Sequence, residues 1–454
     1  MTPSSTTGTG APERGADRPR SQGAQARRRI ASNDAMWLQD TATNLMVINA
    51  IFTTDRMDLE TFRDTFRHRV MEADGGERFA RLRQRIVYVA GAPHWEEDPA
   101  FDIRRHIIPA RDPDLDTTSK LRTYVGAEAS LPLPDDRPRW QFQVVENFEE
   151  GATAVIARIH HTIADGVSLL SVMFSLMEEM TAEHEAAPPK GGIRPAAGAP
   201  GHGLLKVLSI PLAAPGILLK RMLWIPDRHA LHGPRVSGRK QVAWTAPLDL
   251  AVVKRARQQL DATVNDVLMA MVSGALSSYV EQHSGQILQH LRVSMPVNIR
   301  PADAPLTLEN RFAAVPLELP AGIASLETRV RAVKAAMDDL KRSVVPIVVY
   351  GIQRALLTVL PQGVSRGLID FLANKCTAVV TNVPGPQREI TLAGRRVRSM
   401  MFWVPQRANI GVGISILSFA GKVQVGVLAD TVLVPDPLDL VHAFEREFEA
   451  LRSV

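Results

Sequence analysis

The stretch from Thr153 to Gly166, TAVIARIHHTIADG, constrains this chain more than any other. An apolar run of strand character ends in two adjacent histidines, His160 and His161. It closes on Asp165-Gly166 before a second apolar run begins. Successive side chains on a strand point to opposite faces, so at most one imidazole is presented to any given cavity. A neutral imidazole held rigidly there can take a proton from a hydroxyl and return it to a leaving group. Gly166 lets the backbone turn tightly beside it. Asp165 is four residues from His161, too close along a loop to assume a triad. It is read as an ion-pair partner or as the cap of the following helix.

At 454 residues the chain exceeds one ordinary core, and two domains are the natural expectation. Apolar residues make up 45% and charged residues 22%, a soluble globular balance. The net charge of +5 does not point to nucleic acid. Residues 1–30 hold six arginines against Glu13 and Asp17, a balance of +4, which leaves +1 for the rest. A single cysteine, Cys376, rules out an internal disulfide and fits a reducing, cytoplasmic setting. Within KCTAVV it reads as a small buried residue. No apolar stretch reaches the ~20 residues of a membrane span, and the N-terminus lacks a signal-peptide core.

Residues 1–29 read as a disordered basic tail, and 30–183 as a first domain. Within it, strands are expected at 46–53 and near 85–91, helices at 58–72 and 118–130. A hairpin of strands 140–146 and 153–160 is followed by a helix over 167–182. The Pro/Gly/Ala-rich 184–203 is the clearest boundary. It opens a linker-and-crossover region, 184–240, whose apolar part 204–225 is broken by prolines. A second domain, 241–454, repeats the mixed pattern. Its expected strands are 242–245, 291–297, 312–319, 375–381, 410–417 and 422–428. Its helices are expected at 248–260, 264–279, 325–342 and 436–452. Neither half has a βαβ period, GxGxxG or GxxxxGK[ST], so a dinucleotide or P-loop fold gains no support.

Further polar groups sit where they can serve a cleft. Thr263-Val-Asn265-Asp266 is a capping-box pattern that positions Asn265 and Asp266 at a helix start. Asn298 and Arg300 end a strand. Thr381-Asn382-Val-Pro-Gly-Pro reads as a strand end passing into an irregular loop, whose small polar groups can act as oxyanion donors. The aliphatic 204–225 and 344–360 are candidates for a lipid-binding tunnel or a membrane-docking surface.

Seven stretches in order carry a family resemblance: SNDAMW (32–37), RPRW (137–140), HHTIADG (160–166), ND (265–266), MPVNIRP (295–301), ENR (309–311) and TNVPGP (381–386). From about residue 30 to 454 the chain resembles the bacterial wax ester synthase/diacylglycerol acyltransferases of the HHxxxDG superfamily. The resemblance implies two chloramphenicol acetyltransferase-like α/β domains, each a mixed sheet flanked by helices, with an interdomain channel. It implies His161 as general base, His160 as its structural neighbour and Asp165 ion-paired with an arginine, Arg300. Trp140 is expected to help form the acyl pocket. Long-chain acyl-CoA would be the donor, diacylglycerol or a fatty alcohol the acceptor, with no cofactor and no metal. Contact with a membrane or lipid-droplet surface is expected, and nucleic acid is not. Two other readings stay open: a relative with a carrier-protein-bound donor, and a non-catalytic lipid-binding relative. Arg139 stands where the family has leucine, Glu309 where it has glycine, and Thr381 where it more often has serine.

Overall fold

The structure is a computed structural model, and it describes residues 27–177, 215–219, 222–300 and 307–453. Two mixed sheets organise it. The first has six strands, in the order Thr391–Leu392, Arg395–Trp403, Val47–Thr54, Ala152–His160, Trp140–Phe148 and Ile107–Pro109. The hairpin turns through Asn147, Glu150 and Gly151, all at positive φ, as its polar NFEEGA sequence requires. All nine residues of Ala152–His160 are buried. Central position between two antiparallel neighbours and burial on both faces explain its near-continuous apolar sequence.

The second sheet has seven strands. Phe312–Pro320, His290–Asn298, Ala378–Pro384, Val412–Phe419, Lys422–Asp430 and Lys240–Trp244 follow in that order, and Leu248–Asp249 also pairs with Lys422–Asp430. Its two parallel pairings surround Ala378–Pro384. The helix Val264–Ser284 lies along this sheet and packs against Leu326–Arg342 and Leu438–Leu451. The Thr263–Asp266 capping box opens it, and Gly285 closes it at φ 65° in the left-handed region. A three-stranded sheet, Arg28–Arg29, Ala92–Glu97 and Gln84–Val89, stands apart from both.

Several expectations need correction. Residues 27–29 are not part of a tail: Arg28 and Arg29 pair with Trp95 and His94, and Arg27 meets Glu96 at 2.7 Å. The helix expected over 167–182 is Gly166–Leu176, and Met177 already bridges to Leu392. Residues 178–214 lie outside the described residues. They include most of the expected linker and part of the 204–225 segment. The aliphatic 344–360 forms the helix Val345–Val359, and after Pro361 a second helix, Gln362–Ala373, follows. Thr381 is in a strand, as expected, and the strand runs on through Asn382 instead of ending before it. Both lie within Ala378–Pro384 and pair with Ser415 and Ile416.

The strand Arg395–Trp403 was not anticipated, and it changes how the halves relate. It comes from the second half yet pairs antiparallel with Val47–Thr54 in the first sheet, Met400 opposite Phe52 and Trp403 opposite Asn49. Trp403 is fully buried and meets Trp244 of the second sheet edge-on at 5.5 Å. The first half's apolar core takes in Val242, Trp244, Leu417, Phe419 and Leu428. A division of the chain at residue 240 therefore does not divide the sheets.

Candidate active site

His160 is the last residue of its strand and His161 the first of the turn. Their side chains go to different cavities, as alternation requires. His160 is buried and donates from Nε2 to Asp40 at 2.8 Å, while its Nδ1 accepts the Thr162 N–H. Asp40 also accepts from the Met46 N–H and faces Arg139 at 3.5 Å. Burial works against the Asp40 carboxylate, but these partners hold its pKa below the usual value. The cavity on this side, about 510 Å³, contains His160, Arg139 and Asp40. Arg139 is thus paired, and it lies on the face away from His161.

His161 faces a second cavity, of about 220 Å³, lined by residues of both sheets. Its ring stacks on Trp37 with centroids 3.8 Å apart and planes 13° from parallel, and Phe312 closes a second side at 5.7 Å. Nδ1 lies 2.8 Å from Asn310 Oδ1, so Nε2 is the ring nitrogen left to meet a substrate. Burial pushes the His161 pKa down to about 4, only partly countered by Asp165. The imidazole is therefore neutral, and a proton acceptor, at physiological pH.

Asp165 caps the helix Gly166–Leu176: Oδ1 accepts the Ser168 N–H at 3.0 Å. Oδ2 accepts the Arg311 N–H at 3.0 Å and lies 2.8 Å from Arg300 Nη2, both side chains buried. Arg300 also donates to Ser168 Oγ and to the Glu309 carbonyl. The resemblance-based pairing of Asp165 with Arg300 is present, and the loop after the histidines is tied to the second half through it. Gly166 does not have positive φ, and a Cβ there would meet nothing within 4 Å. The tight-turn reason for this glycine does not hold. Its bareness leaves room in the cavity that it lines.

The remaining expected residues divide. Asn298, Arg300, Thr381 and Asn382 line the His161 cavity. Asn298 Oδ1 accepts the Arg300 N–H, and Asn382 Nδ2 donates to Asn265 Oδ1 at 2.9 Å. Asn265 therefore acts on the cavity wall through Asn382. Asp266 is fully buried and returns to the Thr263 N–H at 2.9 Å, which is capping chemistry. Trp140 is not at this cavity. It lies in the first core, with its indole N–H on the Leu82 carbonyl, between His106 and Phe66. Its large apolar ring serves packing there, so the acyl-pocket expectation is corrected.

Sequence reasoning gave no role to Trp37, Asp34 or Asn310, although SNDAMW and ENR contained them. Their common feature, contact with His161 or with each other, depends on three distant segments meeting.

Beyond these polar groups the cavity is apolar. Ile352, Leu356, Ile369 and Leu372 of the two helices after Val344 form one wall, and Ile217 and Trp224 another. A buried neutral histidine on an apolar cavity lined by two mixed sheets fits the class of transferases that act on a lipophilic substrate. The comparisons are specific. Residues 30–218 match the wax ester synthase/diacylglycerol acyltransferase catalytic domain, and 308–452 match the WS/DGAT C-terminal domain. The chain is 25% identical over 396 residues to a probable diacylglycerol O-acyltransferase, tgs1, of Mycobacterium tuberculosis, covering 80% of this chain and 82% of that one. It is 26% identical to wax ester synthase/diacylglycerol acyltransferase 2 of Arabidopsis thaliana, over 78% and 80% of the two chains. Among solved structures, the wax ester synthase/diacylglycerol acyltransferase of Marinobacter aquaeolei VT8 superposes with TM-score 0.67 at 20% identity, covering 94% and 99% of the two chains. The first condensation domain of the CDA synthetase gives 0.61 at 15% identity, over 94% and 96%. The fold is thus the expected mixed α/β architecture. The chain belongs to the wax ester synthase/diacylglycerol acyltransferase family, a family of O-acyltransferases.

Proposed function

We propose that the chain transfers a long-chain acyl group from acyl-CoA to the hydroxyl of a diacylglycerol or a fatty alcohol, with His161 as the general base. The observation that carries this is the neutral His161, occupied at Nδ1, on an apolar cavity. In this reading Nε2 takes the hydroxyl proton as the oxygen attacks the thioester carbonyl carbon. The tetrahedral intermediate collapses by breaking the C–S bond, and the imidazolium returns the proton to the leaving thiolate. Acyl-CoA enters as a substrate, and no cofactor is called on, because a thioester is already an activated acyl donor. The Thr381 hydroxyl and the Asn298 amide are proposed to meet the developing oxyanion. Asp165 and Arg300 hold the loop without touching substrate.

Thiol release from palmitoyl-CoA with hexadecanol or diolein tests the reading. Turnover is expected with acyl-CoA alone and with either acceptor. His161→Ala should abolish it in a protein with an unchanged circular dichroism spectrum. His160→Ala should lose less, in step with lost stability, because it removes the Asp40 bond. Full activity of His161→Ala, or turnover only with a carrier-bound donor, sinks the reading.

The same proposal places the chain peripherally on a lipid surface. No single described helix is long and apolar enough to cross a membrane. Val359, Val364 and Phe371 on the two helices, with Leu223 and Ile225 nearby in sequence to cavity-lining Trp224, expose large apolar side chains, Val359 and Ile225 each 78% accessible. The inner faces of those helices line the cavity, so lipid substrates would enter from the surface on which the helices rest. Val359→Asp with Val364→Asp should weaken flotation with phospholipid vesicles several-fold. Turnover of a short, soluble alcohol should be unaffected.

A further inference from the structure

A general base needs more than an imidazole of suitable pKa. Its lone pair must sit on the nitrogen that faces the substrate. Neutral histidine has two tautomers, and the bond made by the far nitrogen decides between them. At His161 the side-chain bond runs to the amide of Asn310, whose orientation is forced by its other partners. The carbonyl of His161 itself is a second acceptor beside the ring and favours the same tautomer.

The Asn310 Nδ2 is 2.9 Å from Asp34 Oδ1 and 2.8 Å from the His161 carbonyl oxygen. A carboxylate and a carbonyl only accept, so the amide nitrogen, with its two hydrogens, must occupy that side. Rotating the amide by half a turn would place oxygen against two oxygens and nitrogen against the ring. Oδ1 therefore faces His161 Nδ1, at 2.8 Å. Being an acceptor, it requires Nδ1 to carry the hydrogen, and Nε2 keeps its lone pair.

The amide is anchored from behind. Asp34 Oδ1 also accepts the Asn310 backbone N–H at 2.9 Å, and Oδ2 receives Arg81 Nη2 at 2.7 Å. Every partner of that carboxylate is a donor. Arg81 reaches on to the Ile163 carbonyl, in the turn that follows the histidines. Asp34 and Asn310 are 2% and 5% exposed, so water does not compete for these groups. Three residues beyond Asp34, Trp37 stacks on the imidazole and fixes its plane.

We infer that Asn310, anchored by Asp34, is a positioning residue that locks His161 as the Nδ1–H tautomer and so aims its lone pair from Nε2 into the cavity. This rests on the reading of His161 as the base. The SNDAMW and ENR stretches thereby gain a shared role: one supplies the carboxylate and the stacking ring, the other the amide.

The test combines a spectroscopic readout with kinetics, in the full-length chain. Nitrogen-15 histidine labelling, with His161 assigned by its absence from His161→Gln, reports which ring nitrogen is protonated whether or not the protein turns over. Wild type should show Nδ1 protonated and Nε2 bare at neutral pH. Asn310→Ala should shift His161 toward the Nε2–H form and lower kcat roughly 10²–10⁴-fold with KM little changed, the range expected when acid–base catalysis is lost. Asn310→Asp guards against a misfolded alanine variant. Its second oxygen would face Asp34 Oδ1 and the His161 carbonyl, so it must hold a proton and donate as the amide did. The first oxygen still accepts from Nδ1, and the tautomer should stay. An unchanged His161 tautomer in a folded Asn310→Ala overturns the inference, whatever happens to kcat. An active His161→Ala overturns the base reading instead, so the two failures are distinguishable.

Discussion

Burial of the His161 ring has a cost that shows in solution. With its pKa at about 4 in the folded chain against 6.5 when free, the unfolded state binds more protons between those values. Stability from the neutral ring is complete above pH 6.5. It falls as the pH drops through the window from 6.5 to about 4, by on the order of 3 kcal/mol in all. Urea denaturation of wild type and His161→Gln across that window checks this. The variant should lose the His161 share of the slope, while His106, His229 and His232, whose pKa values burial also lowers, keep theirs. The acid limb of kcat/KM should likewise lie near pH 4 rather than 6.5. Gly166 supplies a second prediction. It opens a helix at ordinary φ with empty space beside its Cα, so Gly166→Ala should raise stability, by up to about 1 kcal/mol from helix propensity. The methyl enters the cavity, so kcat/KM for long-chain substrates should drop, as paired melting and kinetic assays would show. That the two imidazoles face different cavities was legible because strand alternation is local; which of them is the base was implied by the family resemblance alone. Trp37, Asp34 and Asn310 were not legible, since their partners are set by a fold that joins residues far apart in sequence.

Among the elements, those with strong period and caps were the readable ones. The hairpin before His161 and the helices Val264–Ser284 and Leu326–Arg342 lie close to where patterning put them. The Asn265-Asp266 pair shows how one short motif serves two ends. Asp266→Ala should cost about 1–2 kcal/mol through the lost capping box and leave kinetics of the folded enzyme near wild type. Asn265→Ala should instead affect kcat/KM several-fold by freeing Asn382. Chemical denaturation beside steady-state assays separates the two. Asn382 was misplaced, past the expected strand end at Thr381, for a clear reason. The Pro-Gly-Pro after it signals a turn, but the parallel ladder with Val412–Phe419 runs through Pro384 and keeps Asn382 in the strand. The strand Arg395–Trp403 was missed because arginines fill three of its first four positions. Val397, between those arginines, is buried with Met400, Met401 and Trp403, but only the later part reads as core by pattern.

The molecule as a whole is joined by that same strand. Because it completes the first sheet, and because Trp403 and Trp244 meet between the sheets, the halves should melt as one unit. Calorimetry is expected to give a single transition, and two separated transitions would contradict the shared core. The general α/β class was legible from alternating elements, and the two mixed sheets were implied by the family resemblance. The exchange of a strand between them was not, because pairing partners are chosen by packing rather than by local pattern. A consequence follows for the newborn chain. On the ribosome, Val47–Thr54 emerges early, but its neighbour Arg395–Trp403 is translated almost last. At roughly 5–20 residues per second, the first sheet waits on the order of tens of seconds with a buried-type edge bare, the kind of edge that recruits foreign strands. Yield in the cell should therefore depend on chaperones that cover nascent β-edges more than the stability of the finished enzyme suggests.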